Sequence, residues 1–123
     1  MKQQRLEDDF QVLVCDYLRL VVPPDVIWFA VPNGMVMGGT PKLRAMRMTL
    51  LKRMGFKVGI NDLIFLRRHM PFGIELKAPG KPPRLNENQK SVKKEFAAAS
   101  IPYYVANSFE EVQQILRLER VIN

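Results

Sequence analysis

Leu6, Phe10, Leu13, Val14, Tyr17, Leu18 and Val21 recur at the three- and four-residue spacing of a single helix face. The pattern predicts an amphipathic helix over residues 5–21, ended by Pro23-Pro24. Val26 to Val31 is β-branched and aromatic, which predicts a buried strand; Pro32-Asn33-Gly34 breaks it, and a Gly-containing loop runs to about Thr40. Pro41 suits a helix start with Thr40 as its N-cap, and Gly55 suits the stop. Leu43, Met46, Leu50, Leu51 and Met54 supply that helix with an apolar stripe, and its methionines read as core filling. Asp62 to Leu66 and Phe72 to Lys77 are short strand signals on either side of Arg67 to Pro71, an antiparallel hairpin. A Pro-, Gly- and Lys-rich loop follows, then a helix over 86–99, a strand over 102–105 and a closing helix over 108–120. Ser108 and Glu111 have capping-box spacing at the start of that last helix. The order predicts a single α/β domain over 1–123 with a mixed sheet.

Composition narrows the classes. Nearly half of the 123 residues are apolar, enough for one core, and no stretch reaches the length of a membrane span. The first residues lead into acids rather than an apolar run, and Cys15 is the only cysteine. Both features point to an intracellular protein with a buried, inert thiol. His69 has no second histidine near it, which argues against zinc. A net charge of +7 suits a polyanionic partner, although a basic protein without one has the same balance.

The chemistry concentrates at the end of the hairpin. In Phe72-Gly73-Ile74-Glu75-Leu76-Lys77, strand alternation sends Ile74 and Leu76 to one face and Glu75 and Lys77 to the other. Asp62 opens the preceding strand and so lies beside the end of this one. Converging carboxylates suit Mg²⁺ (or Mn²⁺), with the Leu76 carbonyl as a further ligand. A lysine two positions on can orient the attacking water and offset phosphate charge, which phosphodiester hydrolysis requires. A cross-strand salt bridge on a solvated face explains the same residues and stays open at this point.

Further elements share the order and spacing of a known family: Glu7-Asp8-Asp9-Phe10-Gln11, Pro32-Asn33-Gly34, Gly59-Ile60-Asn61-Asp62-Leu63, Glu75-Leu76-Lys77 and Leu85-Asn86-Glu87-Asn88-Gln89. Together, from about Glu7 to Val105, they resemble the virus-type replication-repair nuclease (VRR-NUC) domain, a branch of the PD-(D/E)xK nucleases. The resemblance implies a restriction-endonuclease-like core and a divalent-metal DNA nuclease. Asp62 and Glu75 match the metal-binding acids, Lys77 the catalytic lysine, Glu7 the acid of the first helix, and Gln89 the glutamine after the catalytic strand. It also implies a homodimer that cuts branched DNA such as Holliday junctions, as small phage and bacterial members do. Asn61 stands where the family has Pro, a turn position without chemistry of its own.

Each supporting residue has a plainer explanation beside the functional one. Glu7 also suits a helix N-terminus, and Gln89 the third position of a capping box with Asn86. Lys42, Arg44, Arg47, Lys81 and Arg84 are candidate phosphate contacts, as is the Asn33 turn, yet charge runs are commonly solvated faces. Cleavage of flaps, nicks, linear ends or RNA, and a non-catalytic DNA- or RNA-binding module, are the rival functions.

Overall fold

The computed structural model describes residues 2–32 and 38–123. Among them the order is α1 (Lys2–Val21), β1 (Ile27–Ala30), α2 (Pro41–Arg53), β2 (Leu63–Leu66), β3 (Phe72–Leu76), α3 (Glu87–Ala98), β4 (Tyr103–Ala106) and α4 (Phe109–Leu118). The strands form a mixed sheet in the order β1-β2-β3-β4. The β1/β2 and β2/β3 pairs are antiparallel, whereas β3 and β4 run parallel with α3 as their crossover. This is the α/β arrangement with helices on a mixed sheet that the residue pattern predicts.

Register decides which side chains meet. Leu63 pairs with Ile74 and Phe65 with Phe72, so these four share a face. On that face they join Phe10, Val14 and Leu18 of α1 and Val112, Ile115 and Leu116 of α4 in one hydrophobic cluster. The Phe65 and Phe72 rings stack with centroids 4.6 Å apart. The opposite face carries Glu75 and Tyr103, and α3 covers it with Val92 and with Phe96, which meets Tyr103 edge-on. β3 is therefore buried along its whole length and holds a carboxylate in the interior. Arg67, in the β2–β3 turn, donates to the carbonyls of Glu119 and Arg120 and ties the hairpin to the end of α4.

Two sequence expectations fail here, for the same reason. Among the described residues the stripe of α2 is largely uncovered: Leu43, Met46, Leu50 and Met54 are exposed, Met54 by 73 %, Leu51 is half-buried, and α2 has no buried residue. Periodicity reports that a helix has an apolar face, not that the chain supplies a surface to cover it. Likewise β1 is an edge strand with Ile27, Phe29 and Ala30 exposed rather than a buried one, and Leu6 and Leu13 of α1 face outward. The caps fare better. Thr40 accepts from the Leu43 amide, and Ser108 from the Glu111 amide.

Gly73 is required by its partner across the hairpin. A Cβ there would lie 2.2 Å from Asn61 Oδ1, and Asn61 is fully buried. Gly73→Ala must displace the residue that precedes Asp62, so a loss of about 1–3 kcal/mol is expected in denaturant unfolding. Gly38→Ala, with no described residue within 4 Å of its Cβ, is the control and should stay within about 0.5 kcal/mol. Equal midpoints for the two variants would contradict this packing.

Candidate active site

A cleft of about 990 Å³ opens where β1 and β3 end and β2 begins. Its lining includes Glu7, Gln11 and Arg19 on α1, Val31 after β1, Asp62, Glu75, Leu76 and Lys77, and Asn86 and Gln89 at the start of α3. Asp62, Glu75, Lys77, Gln89 and Glu7 are thus brought to one place from four segments far apart in the chain.

Asp62, Glu75, Lys77 and Gln89 are each held by a definite bond. Asp62 Oδ2 accepts from the Leu76 amide at 2.7 Å, which locks the start of β2 to the end of β3. Gln89 Nε2 donates to Glu75 Oε2 at 2.8 Å, while Gln89 Oε1 accepts from Lys77 Nζ at 2.9 Å. Lys77 Nζ also lies 3.8 Å from Glu75 Oε2. The amide of Gln89 therefore bridges the acid and the base. Its orientation comes from the helix start: Gln89 Oε1 also accepts from the Asn86 amide, and the Gln89 amide donates to Asn86 Oδ1. That is a complete capping box, so the helix cap and the site network share one side chain. Gly59 lets this helix start come close, since a Cβ on it would sit 2.5 Å from the Asn88 carbonyl.

The electrostatics are those of two carboxyls forced together out of water. Burial, then the negative charge of Asp62, pushes the Glu75 carboxyl up to about 8. Asp62 is raised as well, chiefly by burial, with the charge of Glu7 adding to it and the Leu76 amide and Lys77 opposing. Glu75 Oε1 is buried, and no donor among the described residues reaches it in normal hydrogen-bond geometry. A cation-seeking oxygen beside a second acid and beneath an open cleft fits a divalent ion, which favours oxygen ligands and keeps several waters. Among the described residues no three His, Cys, Asp or Glu side chains form a ready metal cage. Any ion would then depend on the two acids, a backbone carbonyl and solvent.

The other predicted positions divide. Lys81 and Arg84 line an adjoining cavity of about 350 Å³ together with Glu7 and Lys77, and Lys81 Nζ donates to Gln3 Oε1. Lys42, Arg44 and Arg47 do not line the cleft; Arg44 and Arg47 donate to the Gly39 and Gly38 carbonyls beside their own helix. Asn33 lies outside the described residues. Cys15 is buried and its thiol is pushed up by burial, as expected for an inert sulfur. Tyr103 was not legible as a site neighbour. Its hydroxyl donates to the Gly59 carbonyl, and burial with the charges of Glu75 and Asp62 raises its pKa. Only the β3–β4 register, Glu75 opposite Val105 and Gly73 opposite Tyr103, brings it there, and nothing local in sequence encodes a parallel partner.

No family model, no curated protein and no solved structure matches this chain. No helix among the described residues is long and apolar enough to cross a membrane.

The raised carboxyls fix a sign for stability against pH. Between the ordinary glutamate value of 4.5 and about 8, the folded chain keeps a proton on Glu75 that the unfolded chain has released. The stabilisation is complete below the lower value and is lost as pH rises through the upper one. In EDTA, the melting temperature should fall between pH 5 and pH 8.5. Glu75→Gln, neutral throughout, should flatten that slope. A wild-type melting temperature that rises over this interval would show the acid pair to be ionised in the fold.

Proposed function

We propose that this chain is a divalent-metal-dependent DNA endonuclease of the PD-(D/E)xK type, built on a restriction-endonuclease-like core. The observation that carries it is the buried Glu75 beside the half-buried Asp62, with a lysine fixed at 2.9 Å by Gln89. A structural salt bridge does not need a second buried acid that raises the energy of the first. The sheet flanked by helices and the ordered motifs that resemble VRR-NUC domains support the same reading.

In this proposal Asp62, Glu75 and the Leu76 carbonyl hold Mg²⁺ or Mn²⁺, and Glu7 assists from across the cleft. Such an ion supplies Lewis-acid stabilisation to phosphoryl oxygens and makes water more acidic. Lys77 presents its ammonium to the attacking water and to the charge that builds on the phosphate. Gln89 keeps that ammonium and the Glu75 carboxylate in fixed relation, so their spacing is set before substrate arrives. Lys81 and Arg84 grip backbone phosphates beside the site without reading sequence. Lys42, Arg44 and Arg47 contribute further phosphate contacts away from the cleft, and Asn33 is a further candidate contact. Branched DNA, cut by an intracellular homodimer, is the substrate that the resemblance favours.

Cleavage of labelled four-way junction, flap, splayed and linear DNA, with Mg²⁺, Mn²⁺ or EDTA, tests this directly. Paired nicks across the junction, abolished by EDTA and reduced at least about 100-fold by Lys77→Ala, are expected. Gln89→Leu should lower kcat more than it raises KM, because the amide positions the lysine and touches no substrate. Tight binding without cleavage under either metal would leave a DNA-binding module.

A further inference from the structure

The cleft does not end at Lys77. The adjoining cavity of about 350 Å³ shares Glu7 and Lys77 with it and carries Lys81 and Arg84. Arg84 is in turn part of the wall of a third cavity, of about 860 Å³, on the outer face of α3. Lys90, Lys93 and Lys94 line that cavity, all exposed and on the side of α3 away from the buried Gln89 and Val92. Three hollows joined by a shared lysine and a shared arginine make one continuous depression, from the acid pair to the outside of α3.

Charge along this path has one sign. From Lys77 to Lys94 the chain bears six cations, Lys77, Lys81, Arg84, Lys90, Lys93 and Lys94, and a single acid, Glu87. Glu87 lies 3.4 Å from Lys90, and both are exposed. Among the described residues Lys93 and Lys94 make no ion pair. Elsewhere on the same helix the charges are matched, and Glu95 holds Lys57 at 3.0 Å. A helix face that is merely solvated mixes both signs, and this one does not. The frame is also fixed before any ligand arrives. Asn107 Nδ2 donates to the Lys81 carbonyl at 2.6 Å, and Pro79, Pro82 and Pro83 restrict the loop that carries Lys81 and Arg84.

We infer that this depression is the track of a DNA duplex arm leaving the active site, its phosphates held by Lys81, Arg84, Lys90, Lys93 and Lys94. The inference rests on the nuclease reading for the choice of DNA over another polyanion. It adds the three lysines of α3 and the form of the nucleic acid. The form follows from the chemistry of the lining. Grooves for single strands stack bases on aromatic rings, and no aromatic residue among those described lines either outer cavity. Ammonium groups on a concave surface suit a duplex, which offers its phosphates and keeps its bases stacked.

Fluorescence anisotropy of the full chain in EDTA, across a salt series, tests the track with a labelled duplex of about 30 base pairs and a single strand of equal length. Lys90→Ala with Lys93→Ala and Lys94→Ala should weaken duplex binding at least about tenfold and make its salt slope shallower by about 2–3. The single strand should lose less than about threefold, and far-UV circular dichroism should not change. Arg68→Ala with Arg120→Ala, which removes two cations near the β2–β3 turn, should leave duplex binding as it is. In cleavage of a four-way junction with Mg²⁺, the triple variant should raise KM at least about tenfold with kcat within about twofold, since these lysines lie outside the cleft. A triple variant with the wild-type salt slope would overturn the inference and leave this face to an acidic protein partner. An equal loss for the single strand would overturn the duplex assignment. Binding is read without metal, so a chain that holds duplex through these lysines but never cuts loses the nuclease reading and keeps the track.

Discussion

Two carboxylates side by side and out of water are the constraint around which this fold is arranged. Burial raises the pKa of both acids, and the charge of Asp62 raises Glu75 further, so every neighbouring contact bears on keeping them there. The Leu76 amide, the Gln89 amide group and the Lys77 ammonium supply the opposing polarity. Leu76 ends a central strand, Lys77 follows it with its amide bonded to the Ala106 carbonyl, and Gln89 sits at a capped helix start. The stability that could come from an apolar strand interior is given up for a fixed acid geometry, the usual relation between a fold and a working site.

Local signals in the chain reported local facts faithfully. Strand alternation put Glu75 and Lys77 on one face, and hairpin length put Asp62 beside them, because both depend only on backbone geometry over a dozen residues. Thr40, Asn86 and Ser108 marked helix starts through hydrogen bonds that span three residues. Gln89 was legible twice, as a cap and as a site residue, and it is placed to be both. What the chain concealed was tertiary. The apolar stripe of α2 could not reveal that it stays largely exposed among the described residues, and the apolar run of β1 could not reveal that it forms a sheet edge. Tyr103 approaches the acids only through a parallel strand pairing that closes after α3.

The cleft is also asymmetric. Its acids gather near the middle of its length, where α1 contributes Glu7, while the far end of α1 brings Arg19 into the lining with its guanidinium 5.7 Å from the Trp28 ring centre. Lys81 and Arg84 stand at the other side, in the adjoining cavity. A polyanion lying in the groove would therefore meet positive charge on both sides of a negative centre. Under the nuclease reading proposed above, that pattern would hold a strand by its flanks.

Because Gln89 closes the first turn of α3 and links Glu75 to Lys77 with the same amide, helix initiation and site assembly are one event. A chain that has formed the β2–β3 hairpin but not α3 has its acids without the bridge that sets the lysine. During synthesis the acids, the lysine and the glutamine emerge in that order, so the last of them to fold is the one that completes the constellation. Fraying of a single helical turn would likewise dismantle it while leaving the sheet intact. The coupling lets a short stretch of backbone, far smaller than the domain, decide whether the bridge from Glu75 to Lys77 is present at all.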